Sequence, residues 1–213
     1  MIKWEQLPLG PLQTNCYLIF NEQNSCLIVD PGEEGTKLIH HIENRKLKPQ
    51  AILLTHTHFD HIGAVDIVRE KYEIPVYVHE KEAEWLLDSG LNGSRLFFGG
   101  EVRLKPADEI IAGEGKMTVG DFDFDVFETP GHSPGSISFY FKEGDFVAAG
   151  DALFQGSIGR TDLYGGNYEQ LIESIHKKLL VLPEHTIVLP GHGPVTTIQR
   201  EMDSNPFLNG FFG

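Results

Sequence analysis

Short apolar runs alternate with amphipathic stretches along nearly the whole chain. Residues 15–20 and 25–29 read as strands, parted by the polar turn Asn21-Glu22-Gln23-Asn24. The second run ends at Asp30-Pro31-Gly32, a turn by composition. Residues 36–47 carry Leu38, Ile39, Ile42 and Leu47 on one helical stripe, and Pro49 ends that helix ahead of a strand over 51–54. Residues 62–69 look helical, 74–78 form a strand, and 81–87 form a short helix with Trp85 and Leu86 inward. Residues 89–108 read as a loop, with Gly90, Gly93, Gly99 and Gly100 around Leu96-Phe97-Phe98. Strands follow over 117–119, 122–128, 136–141 and 146–149. Asn167 then caps a helix running to Leu180, with Gln170 as the reciprocal cap, and a last strand covers 186–189. Strands in two batches with helices between them predict an α/β sandwich. Without a linker-like shift in composition or an internal repeat, the expectation is a single domain over 1–213.

One strand end stands apart chemically. Directly after the apolar residues 51–54, His56-Thr57-His58-Phe59-Asp60-His61 puts three imidazoles and a carboxylate into six residues. Such nitrogen and oxygen donors suit zinc and similar first-row divalent ions. In an extended segment, side chains two apart point the same way, so His56 and His58 can reach one ion. Asp60 and His61 lie past the strand end and can face a second position.

Charge narrows the partners. The 213 residues hold 17 Lys and Arg against 31 Asp and Glu, a formal net charge of −14. So acidic a surface disfavours nucleic acid or an anionic membrane as the main partner. Cys16 and Cys26 form no Cys-x-x-Cys pair, and they read as small buried residues of a reducing compartment. The first residues lack the apolar core and cleavage site of a signal peptide, and no run reaches the ~20 apolar residues of a membrane span. A cytoplasmic protein is the expectation.

Three later segments share a grammar of apolar strand, Gly, then a metal-competent residue: Gly131-His132, Gly150-Asp151 and Gly191-His192. A glycine there can adopt backbone conformations closed to other residues and expose the next side chain. With the first motif, four strand ends offer five His and two Asp. One tetrahedral ion uses about four ligands, water included, so seven protein donors suit two ions with a bridging carboxylate.

His-x-His-x-Asp-His followed by Gly-His, Gly-Asp and Gly-His at these separations resembles the metallo-β-lactamase-fold hydrolases. That resemblance implies an αββα four-layer sandwich with a dinuclear site. It implies that His56, His58 and His132 hold a first ion, that Asp60, His61 and His192 hold a second, and that Asp151 bridges. The stretches Thr129-Pro130-Gly131-His132-Ser133-Pro134-Gly135 and Ser157-Ile158-Gly159-Arg160-Thr161-Asp162 are similar to the glyoxalase II-like (hydroxyacylglutathione hydrolase-like) branch. Only about twenty residues follow His192, so the extra C-terminal helical region that holds glutathione in glyoxalase II proper has no counterpart.

The expectation that the resemblance implies is a two-metal hydrolase, zinc first with iron or manganese as alternatives, whose metal-bridging hydroxide attacks a small-molecule substrate, an anionic acyl thioester. Asp60 doubles as the residue orienting the hydroxide, Arg160 receives a substrate carboxylate, and Asp30 supports a metal ligand from behind. Competing readings are a mono-iron persulfide dioxygenase of the same fold, a nuclease, and a non-catalytic module with a structural metal. Phe97 and Phe98 either line the cleft or plug their own loop. His40, His41, His79, His176 and His185 lack the strand-Gly context and read as structural.

Overall fold

The computed structural model describes residues 1–97 and 99–209; the expectation for Phe98 lies outside the described residues. The chain forms two compact units, Met1–Ala112 with Thr118–Phe122, and Gly113–Met117 with the described residues from Asp123 onward.

The first unit is built on a six-stranded sheet in sequential order, β1 (Lys3–Leu9), β2 (Thr14–Phe20), β3 (Ser25–Val29), β4 (Lys48–Leu53), β5 (Val76–His79) and β6 (Glu109–Ile111). The first two pairings are antiparallel and the rest parallel. β2 and β3 are buried almost throughout, so from Cys16 and from Cys26 onward their sequences read as apolar runs without alternation. Helices α1 (Gly35–Arg45), α2 (Phe59–Ile62) and α3 (Val65–Tyr72) follow β3 and β4. Leu38 and Ile42 of α1 and Val65 and Val68 of α3 join Leu18, Ile28 and Ile52 of the sheet in one core. The predicted helix over 81–87 is a 3-10 helix, Glu80–Leu86, with Trp85 and Leu86 buried as expected. The loop over 89–108 holds one helical turn, α4 (Ser94–Phe97).

The second unit carries most of another six-stranded sheet, ordered β14-β13-β10-β9-β8-β7. Its strands are β7 (Gly115–Val119), β8 (Phe122–Glu128), β9 (Ile137–Phe141), β10 (Phe146–Gly150), β13 (Ile187–Pro190) and β14 (Thr196–Thr197), with a small hairpin of β11 (Leu153–Phe154) and β12 (Ser157–Ile158) between them. α5 (Tyr168–Ser174) continues into a π-turn over Ile175–Leu179, and α6 (Ile198–Ser204) follows β14. Leu171, Ile175, Leu179 and Ile198 pack against Val147 and Val188. The Asn167 carboxamide accepts from the Gln170 amide at 2.9 Å, the predicted cap.

Several elements differ from expectation. β1, an edge strand containing Pro8 with no clean alternation, was not apparent, nor were β6, the β11–β12 hairpin, β14 and α6. Pro49, expected only to end a helix, lies inside β4 opposite Cys26, where the β3–β4 register is irregular. Among the described residues, no helix is long and apolar enough to cross a membrane.

Candidate metal centre

In the first unit, β3 and β4 run parallel, so their C-terminal ends share one edge of the sheet. Asp30 leaves β3 and the His56 motif leaves β4 at that edge, the usual place for a ligand site in an α/β sheet. Beyond β4 the chain bends at Thr55 and runs as irregular backbone to His58, an extended residue that precedes α2. The imidazoles two apart face the same way, with ring centroids of His56 and His58 4.9 Å apart and edge to face. One turn of α2 brings the His61 ring to 4.1 Å from that of His56. Oδ2 of Asp60 lies 3.5 Å from Nε2 of His61 and accepts from the Thr14 hydroxyl at 2.8 Å.

Hydrogen bonds select the imidazole tautomers. His61 donates through Nδ1 to Oδ2 of Asp30 at 2.9 Å. Asp30 also accepts from the Thr55 amide at 2.8 Å and its hydroxyl at 2.6 Å. With that hydroxyl proton committed to Asp30, the Thr55 oxygen can only accept from Nδ1 of His56, 3.1 Å away. Both imidazoles therefore carry the proton on Nδ1 and present a basic Nε2, the form that binds a cation. Asp30, His56 and His61 each offer a ligand atom within 4.8 Å of the others. Because Asp30 already accepts from His61 and Thr55, the donors left for a divalent ion are the two buried Nε2 atoms.

In the second unit, β8 and β10 are both antiparallel to β9, and β13 is parallel to β10. The C-terminal ends of β8, β10 and β13 therefore point the same way, and His132, Asp151 and His192 follow those three ends. Nε2 of His132 and Nε2 of His192 each stand 3.6 Å from the same oxygen, Oδ2 of Asp151. Nδ1 of His132 donates to the carbonyl of Arg160 at 2.7 Å, a tautomer lock made by backbone. Of the three glycines expected to need unusual backbone, Gly131 (φ 132°) and Gly150 (φ 51°) do. Gly191 has no positive φ; its amide instead bonds the Gly150 carbonyl at 2.7 Å. Gly159 is required by close approach, since a Cβ there would strike the Asp151 carbonyl and crowd Nδ1 of His132.

The Arg160 side chain is exposed and bidentate to Asp162, at 2.7 and 2.8 Å. That pair holds the Asp162 carboxyl well below the usual carboxylate range, at about 2. Phe97 is half exposed and stacks on Phe59 of the histidine motif, their centroids 6.4 Å apart. His79 accepts from the Lys81 amide, His41 lies 3.0 Å from Glu5, Nδ1 of His176 bonds the Ile172 carbonyl and His185 lies 3.4 Å from Asp145. Both cysteines are free and buried, and burial pushes their thiols up.

Sequence reasoning missed three supports: Thr14 on Asp60, the Arg160 carbonyl on His132, and Glu82. The last is a fully buried acid that accepts from the Thr57 amide at 2.7 Å and its hydroxyl at 2.9 Å. Its one legible signal is a place three residues before Trp85, on the same face of a 3-10 helix.

The metallo-beta-lactamase superfamily model matches residues 9–192. The chain is 57% identical over 210 residues to the probable metallo-hydrolase YqgX of Bacillus subtilis, covering 99% of each. It is 38% identical over 206 residues to the hydroxyacylglutathione hydrolase GloC of Haemophilus influenzae, covering 96% of this chain and 97% of that one. Among solved structures, the BLEG-1 B3 metallo-beta-lactamase superposes with a TM-score of 0.96 at 54% identity, covering 98% of this chain and all of that one, 100%. TTHA1623 in a di-iron-bound form superposes with a TM-score of 0.86 at 42% identity, covering 96% and 100%. Sequence and backbone agree over almost the full length, and the chain therefore belongs to the metallo-beta-lactamase superfamily of metal-dependent hydrolases and has its mixed α/β fold.

Proposed function

We propose that this hydrolase uses two divalent ions to cleave anionic acyl thioesters. The observation that carries the reading is the donor set. Five histidines and two aspartates follow strand ends, and three of the imidazoles have Nδ1 already committed to a hydrogen bond. On the family resemblance, His56, His58 and His132 would hold one ion, Asp60, His61 and His192 the other, and Asp151 would bridge. When bound, such a pair of ions lowers the pKa of water toward neutrality and stabilises developing negative charge on a carbonyl oxygen.

The chain's own groups do the positioning. Asp60, anchored by the Thr14 hydroxyl, orients the attacking water. Asp30 keeps the His61 proton on Nδ1. Arg160 offers a planar two-point grip on a substrate carboxylate, which must replace or share Asp162. Support for a thioester comes from the relative called a hydroxyacylglutathione hydrolase. Zinc is the ion best matched to the donors, while the di-iron form of TTHA1623 makes iron the metal to test against it.

A second reading, hydrolysis of a β-lactam amide, is favoured by the 54% identity to BLEG-1. Reconstitution with zinc, iron or manganese, followed by assay against charged and neutral acyl thioesters and a β-lactam, separates these readings. Turnover of thioesters with two ions per chain supports the first. Turnover of the β-lactam alone, or occupancy by one ion, sinks it.

A further inference from the structure

His56 and His58 sit on a strip that has left the sheet. β4 ends at Leu53 and α2 begins at Phe59. What holds the strip is a repeated device. In Thr55-His56-Thr57-His58 each threonine is gripped at two points, through its amide and its hydroxyl, by one buried acid. Asp30 takes Thr55 at 2.8 and 2.6 Å. Glu82, arriving from the 3-10 helix, takes Thr57 at 2.7 and 2.9 Å, both bonds ending on Oε2. Glu82 and Thr57 are both fully closed to solvent.

A strip outside the sheet has a freedom that a strand inside it lacks, rotation about its own long axis. Side chains alternate across it, so fixing the threonine edge fixes the direction of the histidine edge. Past His58 the chain is pinned again, by the Phe59 amide on the Asn92 carbonyl and the His61 amide on the His58 carbonyl. The grip at Thr57 fixes the one residue between the two histidines, and with it the direction of both. We propose that Glu82 is a positioning residue that presets His56 and His58 for a divalent ion and thereby sets the affinity of that ion. The proposal rests on the reading that these two histidines bind metal.

The acid also accounts for the threonine. A buried amide without an acceptor would be costly, and Oε2 of Glu82 satisfies it together with the hydroxyl, for which the Glu82 carbonyl at 3.4 Å is a longer second acceptor. A purely structural Glu82 would affect stability alone. A positioning Glu82 also changes metal affinity and the ligand field, and an acceptor of the same length restores them.

The test uses the full chain in three variants, Glu82→Ala, Glu82→Gln and Thr57→Val, each checked for folding by circular dichroism. Zinc affinity is measured by chelator competition, and geometry by the absorption spectrum of the cobalt(II) form. We expect Glu82→Ala to weaken the tighter or the weaker of two zinc ions by about 10-fold or more, the range seen when supports of metal ligands are removed, and to shift the cobalt spectrum. Glu82→Gln, which keeps an acceptor oxygen, should restore both. A folded Glu82→Ala protein with wild-type zinc affinity and spectrum overturns the proposal. Should Glu82→Ala not fold, Thr57→Val decides, a shifted spectrum supporting the proposal and an unchanged one overturning it. A wild-type chain that binds no zinc or cobalt overturns the metal reading together with this one. Two ions bound equally by wild type and variants overturn this one alone.

Discussion

Nδ1 of His61 lies 2.9 Å from Oδ2 of Asp30, with both side chains closed to solvent. A carboxylate in that position can only accept, so the imidazole is held as one tautomer with Nε2 basic. Asp30 takes a left-handed backbone, φ 49°, to get there, an uncommon conformation for a residue with a side chain. Replacing Asp30 by alanine should weaken metal binding by about 10–100-fold. It should also lower stability by about 1–3 kcal/mol for each buried Thr55 donor left without an acceptor. Zinc competition and urea unfolding measure the two effects separately, and unchanged zinc affinity would remove Asp30 from the metal-supporting role.

Oδ2 of Asp151 stands 3.6 Å from Nε2 of both His132 and His192. Asp151→Ala should abolish turnover and reduce bound metal while the circular dichroism spectrum stays that of the wild type. Near-normal turnover at micromolar metal would defeat the bridging assignment.

In the proposed function Arg160 would meet its substrate already paired with Asp162. Removing the competitor should help, so Asp162→Asn is expected to lower KM for carboxylate-bearing thioesters, and Arg160→Ala to raise it, with smaller effects on neutral thioesters. The folded pKa of Asp162 is depressed to about 2. The pair's contribution is thus present above the unfolded carboxylate value of ~3.9 and is lost as pH falls through the folded one. A KM profile across neutral pH should carry no inflection from Asp162. Equal losses on charged and neutral thioesters in Arg160→Ala would assign the arginine to structure.

Asn167 is tied to the His132 loop. Its carboxamide caps α5, and its amide donates to the Gly131 carbonyl at 2.7 Å. Asn167→Ala should cost about 1 kcal/mol of stability, the usual value for a lost cap, read as a shift in urea midpoint. A midpoint equal to wild type would show that the cap is idle.

The strand ends were legible because their chemistry is concentrated. Three histidines and an aspartate in six residues cannot be an ordinary turn, and residues 51–54 before them are a plain apolar run. The supports were harder to read, each for its own reason. Glu82 lies in Glu80-Lys81-Glu82-Ala83-Glu84, where three acids look alike. Only the winding of the helix, which sets Glu82 beside Trp85 on the buried face, decides which one turns inward. Thr14 meets Asp60 across 46 residues, a distance that no local pattern spans. β1 and β14 are edge strands, where packing on one side relaxes the alternation that marks a strand. The Arg160 carbonyl belongs to the backbone and has no signature in any side chain.

That last contact separates two tasks that share one residue. His132 is held by the peptide oxygen of position 160, an atom every amino acid supplies, while the side chain of Arg160 projects into solvent. Descendants of this sequence can therefore exchange the side chain at position 160 without disturbing the histidine that its carbonyl steadies. Gly159, hemmed in by Asp151 and His132, has no such liberty. One step along the chain, the loop passes from a position closed to drift to one open to it.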